Sequence, residues 1–226
     1  MCGRYTLTVT LDELMAYYWI DAVSIPYHQP RYNVAPGQMI MAVIHDGTRN
    51  RLGELKWGLI PSWAKDDKGA GRMINARAET LSEKPAYRIP FMRKRCLIPA
   101  DGFYEWKKTD RGKQPMRIML KGGGIFSFAG LYDTWTAPDG RKISTCTIVT
   151  TEPNRLMADI HDRMPVILTG EDERRWLDRN IRDPEILKPL LKPYPAEQMT
   201  AYPVTPAVGN AKLDLPDFIL EWTGRA

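Results

Sequence analysis

From residue 95 to residue 151 the sequence is a succession of short apolar, β-branched and aromatic runs separated by glycine-bearing turns. RCLIPA, GFYEWKK, PMRIML, IFSFAGLYDTW and ISTCTIVTT each have the length and residue types of a strand. Asp110-Arg111-Gly112, Gly122 to Gly124, and Pro138-Asp139-Gly140 stand between them as hairpin signals. Strands this closely spaced leave no room for the helical crossovers that a parallel sheet needs. The chain therefore lacks the βαβ alternation of a nucleotide-binding fold, and it carries no Gly-rich phosphate loop of the Walker or dinucleotide kind. Upstream, QMIMAVIH reads as a strand closed by Asp46-Gly47, and LGELKWGLIPSW as a second strand running into a proline-containing loop. Thr10 and Glu13 have capping-box spacing, which predicts a short helix over 10–19. Further helices are expected at 153–159, 171–179 and 184–191. SIPYHQPRYNVAPGQ, with its prolines, reads as irregular loop, and KDDKGAGR as a mobile polar loop.

The fold class expected is α+β: one β-rich domain over residues 1–226 with peripheral helices. The 3 cysteines, Cys2, Cys96 and Cys146, are odd in number and widely spaced, which argues against a disulfide framework and a Cys-x-x-Cys zinc site. Cys96 and Cys146 lie in apolar runs and read as buried strand residues. No two histidines have metal-ligand spacing, so neither metal nor cofactor is assigned. No signal peptide or membrane-spanning apolar stretch is seen, so a cytoplasmic or nucleoid-associated monomer in a reducing compartment is expected. The net charge of +5 permits a polyanionic partner without demanding one.

Cys2 is in an unusual place. Methionine aminopeptidases remove Met1 when the second residue is small, and the product would carry an α-amine and a thiol on adjacent carbons. The α-amine titrates near 8, so a useful fraction is neutral at pH 7. It can attack an aldehyde to give an imine, on which the thiol can close to make a five-membered thiazolidine. Set against this is the plain alternative of an incidental cysteine at a frayed terminus.

Three other segments carry chemistry. In MINARAET, an extended backbone would put Asn75, Arg77 and Glu79 on one face, where amide and guanidinium can hold an oxyanion or phosphate. In PADGFYEWKK, Glu105 lies between Tyr104 and Trp106; desolvation there would raise its pKa and suit it to carrying a proton, whereas pairing with Lys107 or Lys108 would make it an ordinary surface carboxylate. In ADIHDRMP, His161 lies in a polar turn and is a candidate general acid or base. Trp57 follows an alternating strand and reads as core.

MCGRY at the start, RYNVAP at 31–36, KWGLIPSW at 56–63, INARAET at 74–80, CLIPADGFYEWKK at 96–108 and IHDRMPVIL at 160–168 occur in this order. Together they closely resemble the SOS-response-associated peptidase (SRAP) family over essentially the whole chain, with TPAVGN at 205–210 as the last element. The resemblance implies a compact β-rich domain that binds single-stranded DNA, notably near junctions with duplex, and crosslinks covalently to abasic sites. It implies Cys2 as nucleophile, Glu105 as proton shuttle, His161 as the residue handling protons at the sugar hydroxyl, and Asn75 as the residue that orients the opened sugar. It also implies a weak abasic-site lyase side reaction and, from the family's name, a peptidase activity that would remove Met1. Arg4, Arg77 and Arg163, embedded in the matching motifs, become candidates for phosphates; Asn33, Pro36 and Trp63 become candidates for contacting or wedging bases. Some relatives have a second aromatic after Trp63, where this chain has Ala64.

Two alternatives stay open on the residues alone. An N-terminal-nucleophile cysteine peptidase or amidohydrolase would use the same Cys2 without a stable DNA adduct. A DNA-binding module would bind single strands independently of Cys2, Glu105 and His161.

Overall fold

The computed structural model describes residues 2–21, 23, 28–110 and 112–224. The chain opens with β1 (Tyr5–Leu7) and α1 (Leu11–Tyr17). The capping box forms as its spacing requires: Thr10 accepts from the Glu13 amide at 3.2 Å while the Glu13 carboxylate takes the Thr10 amide at 2.7 Å. β2 (Arg31–Val34) corrects the reading of this stretch as loop throughout. Its proline-rich flanks hide a strand that pairs with β1 and is held by Asp214, which receives the Tyr32 amide and the Arg31 guanidinium. Residues 24–27 of that stretch lie outside the described residues.

β3 (Met39–His45) and β4 (Asn50–Trp57) form the expected hairpin over Asp46-Gly47. Gly58, which follows, has φ 130°, and a Cβ there would meet the Ala70 carbonyl oxygen at 2.7 Å, so this turn admits only glycine. Within the KDDKGAGR loop, Ala70–Arg72 form a 3-10 turn. β5 (Asn75–Arg77) follows, then a helix the sequence did not announce, α2 (Pro85–Arg93). Pro90 inside it reads as a breaker, yet burial of Tyr87, Pro90 and Phe91 outweighs the missing donor.

β6 (Arg95–Ala100), β7 (Gly102–Thr109), β8 (Gly112–Leu120), β9 (Phe126–Thr136) and β10 (Lys142–Thr151) match the five strand runs. Then come α3 (Arg155–Ala158), β11 (Met164–Pro165), β12 (Ile167–Leu168), α4 (Glu171–Leu177), α5 (Pro184–Leu187) and β13 (Met199–Pro203). α5 is shorter than the sequence reading of 184–191, because Lys188–Leu190 tighten into a 3-10 turn. Among the described residues, no helix is long and apolar enough to cross a membrane.

Two sheets result. One runs β13-β8-β7-β1-β2. In the other, β10-β4-β3-β6-β9 closes on itself because β9 also pairs with β10, making a five-stranded barrel with β5, β11 and β12 attached. The ladders are antiparallel except where β10 meets β4 and β5. This is an α+β, mainly β fold with short helices outside, as expected. Gly122 to Gly124 turn out not to close a hairpin: β8 belongs to the first sheet and β9 to the barrel, so this turn is the crossover between them. Tyr5 of β1 stitches the sheets together, its ring centroid 5.6 Å from both Trp57 and Phe128. Trp57, Cys96 and Cys146 are buried, as their apolar surroundings predict.

Candidate active site

Tyr5 pairs with Phe103 and Thr6 with Gly102, and the Tyr104 amide donates to the Arg4 carbonyl at 3.0 Å. Continuing that antiparallel register sets Gly3 opposite Glu105, next to Cys2, whose thiol lies close enough for the Glu105 charge to act on it. Asp101 anchors the strand by accepting from the Thr6 and Thr8 hydroxyls, the latter at 2.6 Å. Cys2 is therefore no frayed residue: it is 0% exposed. Burial pushes its thiol far above the ordinary range, the Glu105 carboxylate adds to this, and the Arg4 amide opposes it. Burial thus favours the neutral thiol.

Glu105 is 2% exposed. Its side chain is thus buried rather than paired at the surface with Lys107 or Lys108. Burial raises its carboxyl and His161 pulls it partway back. His161 Nε2 stands 3.9 Å from Glu105 Oε2. Its Nδ1 receives the Arg163 backbone amide at 3.0 Å and lies 2.9 Å from the exposed Asp162 carboxylate. Glu105 and His161 share a cleft of about 670 Å³ with Trp106, Lys108, Lys113 and Asp162. Lys108 and Lys113 are direct cross-strand partners, so two cations stand side by side at its rim. Sequence reading weighed Lys108 only as a surface partner of Glu105 and passed over Lys113; their signal was the lysine pair after Trp106 and the hairpin that returns Lys113 opposite.

Asn75 enters on β5, in register with Ile148 of β10. Among the described residues neither its Oδ1 nor its Nδ2 has a hydrogen-bond partner, although both atoms are buried. Buried amides in folded proteins are nearly always satisfied, which sets this one apart. Ala76 is buried and Arg77 exposed beyond it. The shared face expected for Asn75, Arg77 and Glu79 does not form, because β5 stops at Arg77 and Ala78–Thr80 turn into a 3-10 helix. Glu79 instead receives both Arg163 Nη atoms, at 2.7 and 3.0 Å, and Arg163 also donates to the Thr150 carbonyl. That clasp ties the Asn75 segment to the His161 turn.

The remaining residues singled out in the sequence fall into two sets. Arg4 donates to Asn33 Oδ1 and to the carbonyls of Val208 and Gly209. Asn33 is 1% exposed, and its Nδ2 faces the carbonyls of Val208, Asn210 and Leu213. Together they fasten the TPAVGN loop, and the Asn33 amide has no donor left for a base. Arg163 is likewise engaged by Glu79. Pro36 is half-buried in the turn before β3. Trp63 is 67% exposed beside Ala64 and, with Arg77, is free to meet a ligand. Among the described residues no cluster of His, Cys, Asp and Glu could hold a metal ion.

A family model described as SOS response associated peptidase (SRAP) matches residues 1–211. The abasic site processing protein YoqW of Bacillus subtilis (strain 168) is 55% identical over 223 residues, covering 97% of this chain and 99% of that protein. The abasic site processing protein HMCES of Xenopus tropicalis is 31% identical over an alignment of 262 positions, covering 96% of this chain and 77% of that protein. A crystal structure of a protein from Bacteroides thetaiotaomicron is similar at a TM-score of 0.84 and 29% identity, covering 98% of this chain and 100% of that one.

Proposed function

Since the chain belongs to the SOS response associated peptidase family, we propose that it processes abasic sites in DNA, binding single-stranded DNA and joining itself to the lesion through Cys2. The chemistry begins with loss of Met1, which turns the Cys2 nitrogen from an amide into an amine. That amine adds to the C1′ aldehyde of the ring-opened sugar, and loss of water gives the imine. The thiol then adds to the imine carbon, its proton passing to the nitrogen, and the thiazolidine closes with one water lost overall.

The observation that carries this reading is the pairing of Glu105 and His161 in one cleft, with the buried Cys2 thiol close enough to feel the Glu105 carboxylate, together with the partnerless amide of Asn75. Glu105, whose pKa burial raises, keeps a proton nearer to neutrality than a surface carboxylate does. It protonates the departing hydroxyl during imine formation and relays the thiol's proton. His161, at 26% side-chain exposure on the open side, serves the sugar hydroxyl released on ring opening. Asn75 supplies a donor and an acceptor to the opened sugar. Lys108, Lys113 and Arg77 meet phosphates, and Trp63 stacks on or wedges a base. Arg163 supports DNA binding by holding the His161 turn at the cleft, and Arg4 and Asn33 by fastening the 208–213 loop. The imine also allows slow β-elimination, a weak lyase activity. The protein acts as a monomer and as one domain.

The test is a denaturing gel. A short single strand with one abasic site, incubated with the protein, yields a heat-stable shifted band, and the same strand with an intact base yields none. Cys2→Ala abolishes the stable band, and Glu105→Gln slows its formation by about 10²- to 10⁴-fold. Turnover of peptide or amide substrates with no DNA adduct would instead establish an N-terminal-nucleophile hydrolase.

A further inference from the structure

A second cavity, of about 420 Å³, shares no lining residue with the Glu105–His161 cleft. The end of α1, the β3–β4 turn and α4 enclose it, with Tyr17, Trp19, Arg49, Glu173 and Arg174 in its walls. Trp19 is anomalous in two ways. It is 66% exposed, and with φ 51° it is the one non-glycine among the described residues in the left-handed region. The local geometry is a Schellman ending: the Ile20 amide bonds to the Met15 carbonyl at 2.9 Å and the Trp19 amide to that of Ala16 at 3.4 Å. Glycine is the residue this position favours. A tryptophan gains little there from burial, so neither the helix end nor the core accounts for it.

The surroundings say what such a ring would meet. The Arg174 guanidinium lies 5.7 Å from the Trp19 ring centroid. Neither Arg174 nor Arg49 forms an ion pair with an acidic side chain among the described residues, although the Arg174 charge acts on Glu173. The acidic groups present are already engaged. Glu173 is 7% exposed, receives the Ser127 hydroxyl at 2.6 Å and the Tyr17 hydroxyl at 3.3 Å, and is pushed up by burial to about 7, so it repels an anion weakly. Asp178 accepts from the Asn180 amide. An exposed indole beside unpaired guanidiniums, over a concavity of this size, matches a ligand that is flat and aromatic at one end and anionic at the other.

We infer that this pocket is a nucleotide-binding subsite separate from the Glu105–His161 cleft, with a base stacked on Trp19 and its phosphate met by Arg49 and Arg174. The inference needs no abasic chemistry, so it stands or falls apart from the reading of Cys2. Calorimetric titration of the full chain at low salt with 5′-dTMP, and with an unmodified thymidine oligonucleotide, tests it. Trp19→Gly is expected to weaken binding of at least one probe about 5- to 100-fold, the range that loss of one stacked base covers. Arg174→Gln and Arg49→Gln are each expected to weaken it several-fold. Trp19→Gly is also expected to hold or raise the melting temperature, because glycine relieves the left-handed backbone. Crosslinking to an abasic strand remains in all three variants. Binding of dTMP marks a site for free nucleotides; binding of the oligonucleotide alone marks a site for a strand-borne one. The inference is overturned if neither probe binds, or if binding ignores all three substitutions. It is also overturned if Trp19→Gly abolishes only self-association of the chain, which would make the patch a protein contact.

Discussion

Asn75 offers a way to separate what the fold needs from what the chemistry needs. Both polar atoms of its side chain are buried without a partner among the described residues. A buried donor or acceptor left unmet costs about 1–3 kcal/mol. Leucine has nearly the same shape and carries no such penalty. Asn75→Leu should therefore stabilise the fold by about 1–3 kcal/mol, and for a chain of 226 residues each kcal/mol raises the melting temperature by about 2–4 °C. The same substitution removes the donor and acceptor offered to the opened sugar and should slow crosslinking at least about tenfold. Urea denaturation followed by tryptophan fluorescence reads the first effect, and a time course of adduct formation on a denaturing gel reads the second. A variant more than about 1 kcal/mol less stable than the parent would show that the amide is a structural group. A stabilised variant that crosslinks at the parent rate would show that Asn75 does not touch the sugar.

Two further perturbations probe the frame. Glu173 titrates at about 7 in the folded chain, against an ordinary 4.5. Its stabilising contribution is thus whole below about 4.5 and lost as the pH rises through 7, amounting to roughly 3 kcal/mol. Glu173→Gln should gain on the parent by that amount between pH 4.5 and pH 8 in urea denaturation, and an unchanged difference would refute the assignment. Arg95 is 6% exposed and donates to the carbonyls of Trp176, Phe91, Met92, Asp178 and Ile181 at 2.6–2.9 Å. Arg95→Leu strands these carbonyls and should cost about 3 kcal/mol or more; a loss under about 1 kcal/mol in the same assay would contradict this.

The strands of the barrel were legible because each is a dense apolar run with a turn at its end. Where the reading failed, the cause lay far away in the chain. Gly122 to Gly124 have the composition of a hairpin turn, but β8 finds β13 and β9 finds the barrel. β2 is a strand because β1 and Asp214 hold it, which its prolines conceal. α2 survives Pro90 because the barrel buries one of its faces. The site was readable as separate residues and not as an arrangement. Cys2, Glu105 and His161 each sit in a local pattern with an ordinary explanation, and only the β1–β7 register and the His161 turn bring them together. Arg4, Asn33 and Arg163 lie in the same motifs, yet their partners are 13 or more residues away, so sequence alone does not distinguish a clasp from a free cation.

The account turns on Cys2 supplying both amine and thiol. Intact mass spectrometry of the protein after incubation with a single-stranded abasic oligonucleotide measures this directly. The account predicts a species with the mass of the chain lacking Met1, plus the oligonucleotide, minus one water, formed without any reductant. It predicts no such species when Met1 is retained behind an uncleavable tag, or for Cys2→Ala. A stable adduct of the same mass relation in either of those two proteins would contradict it.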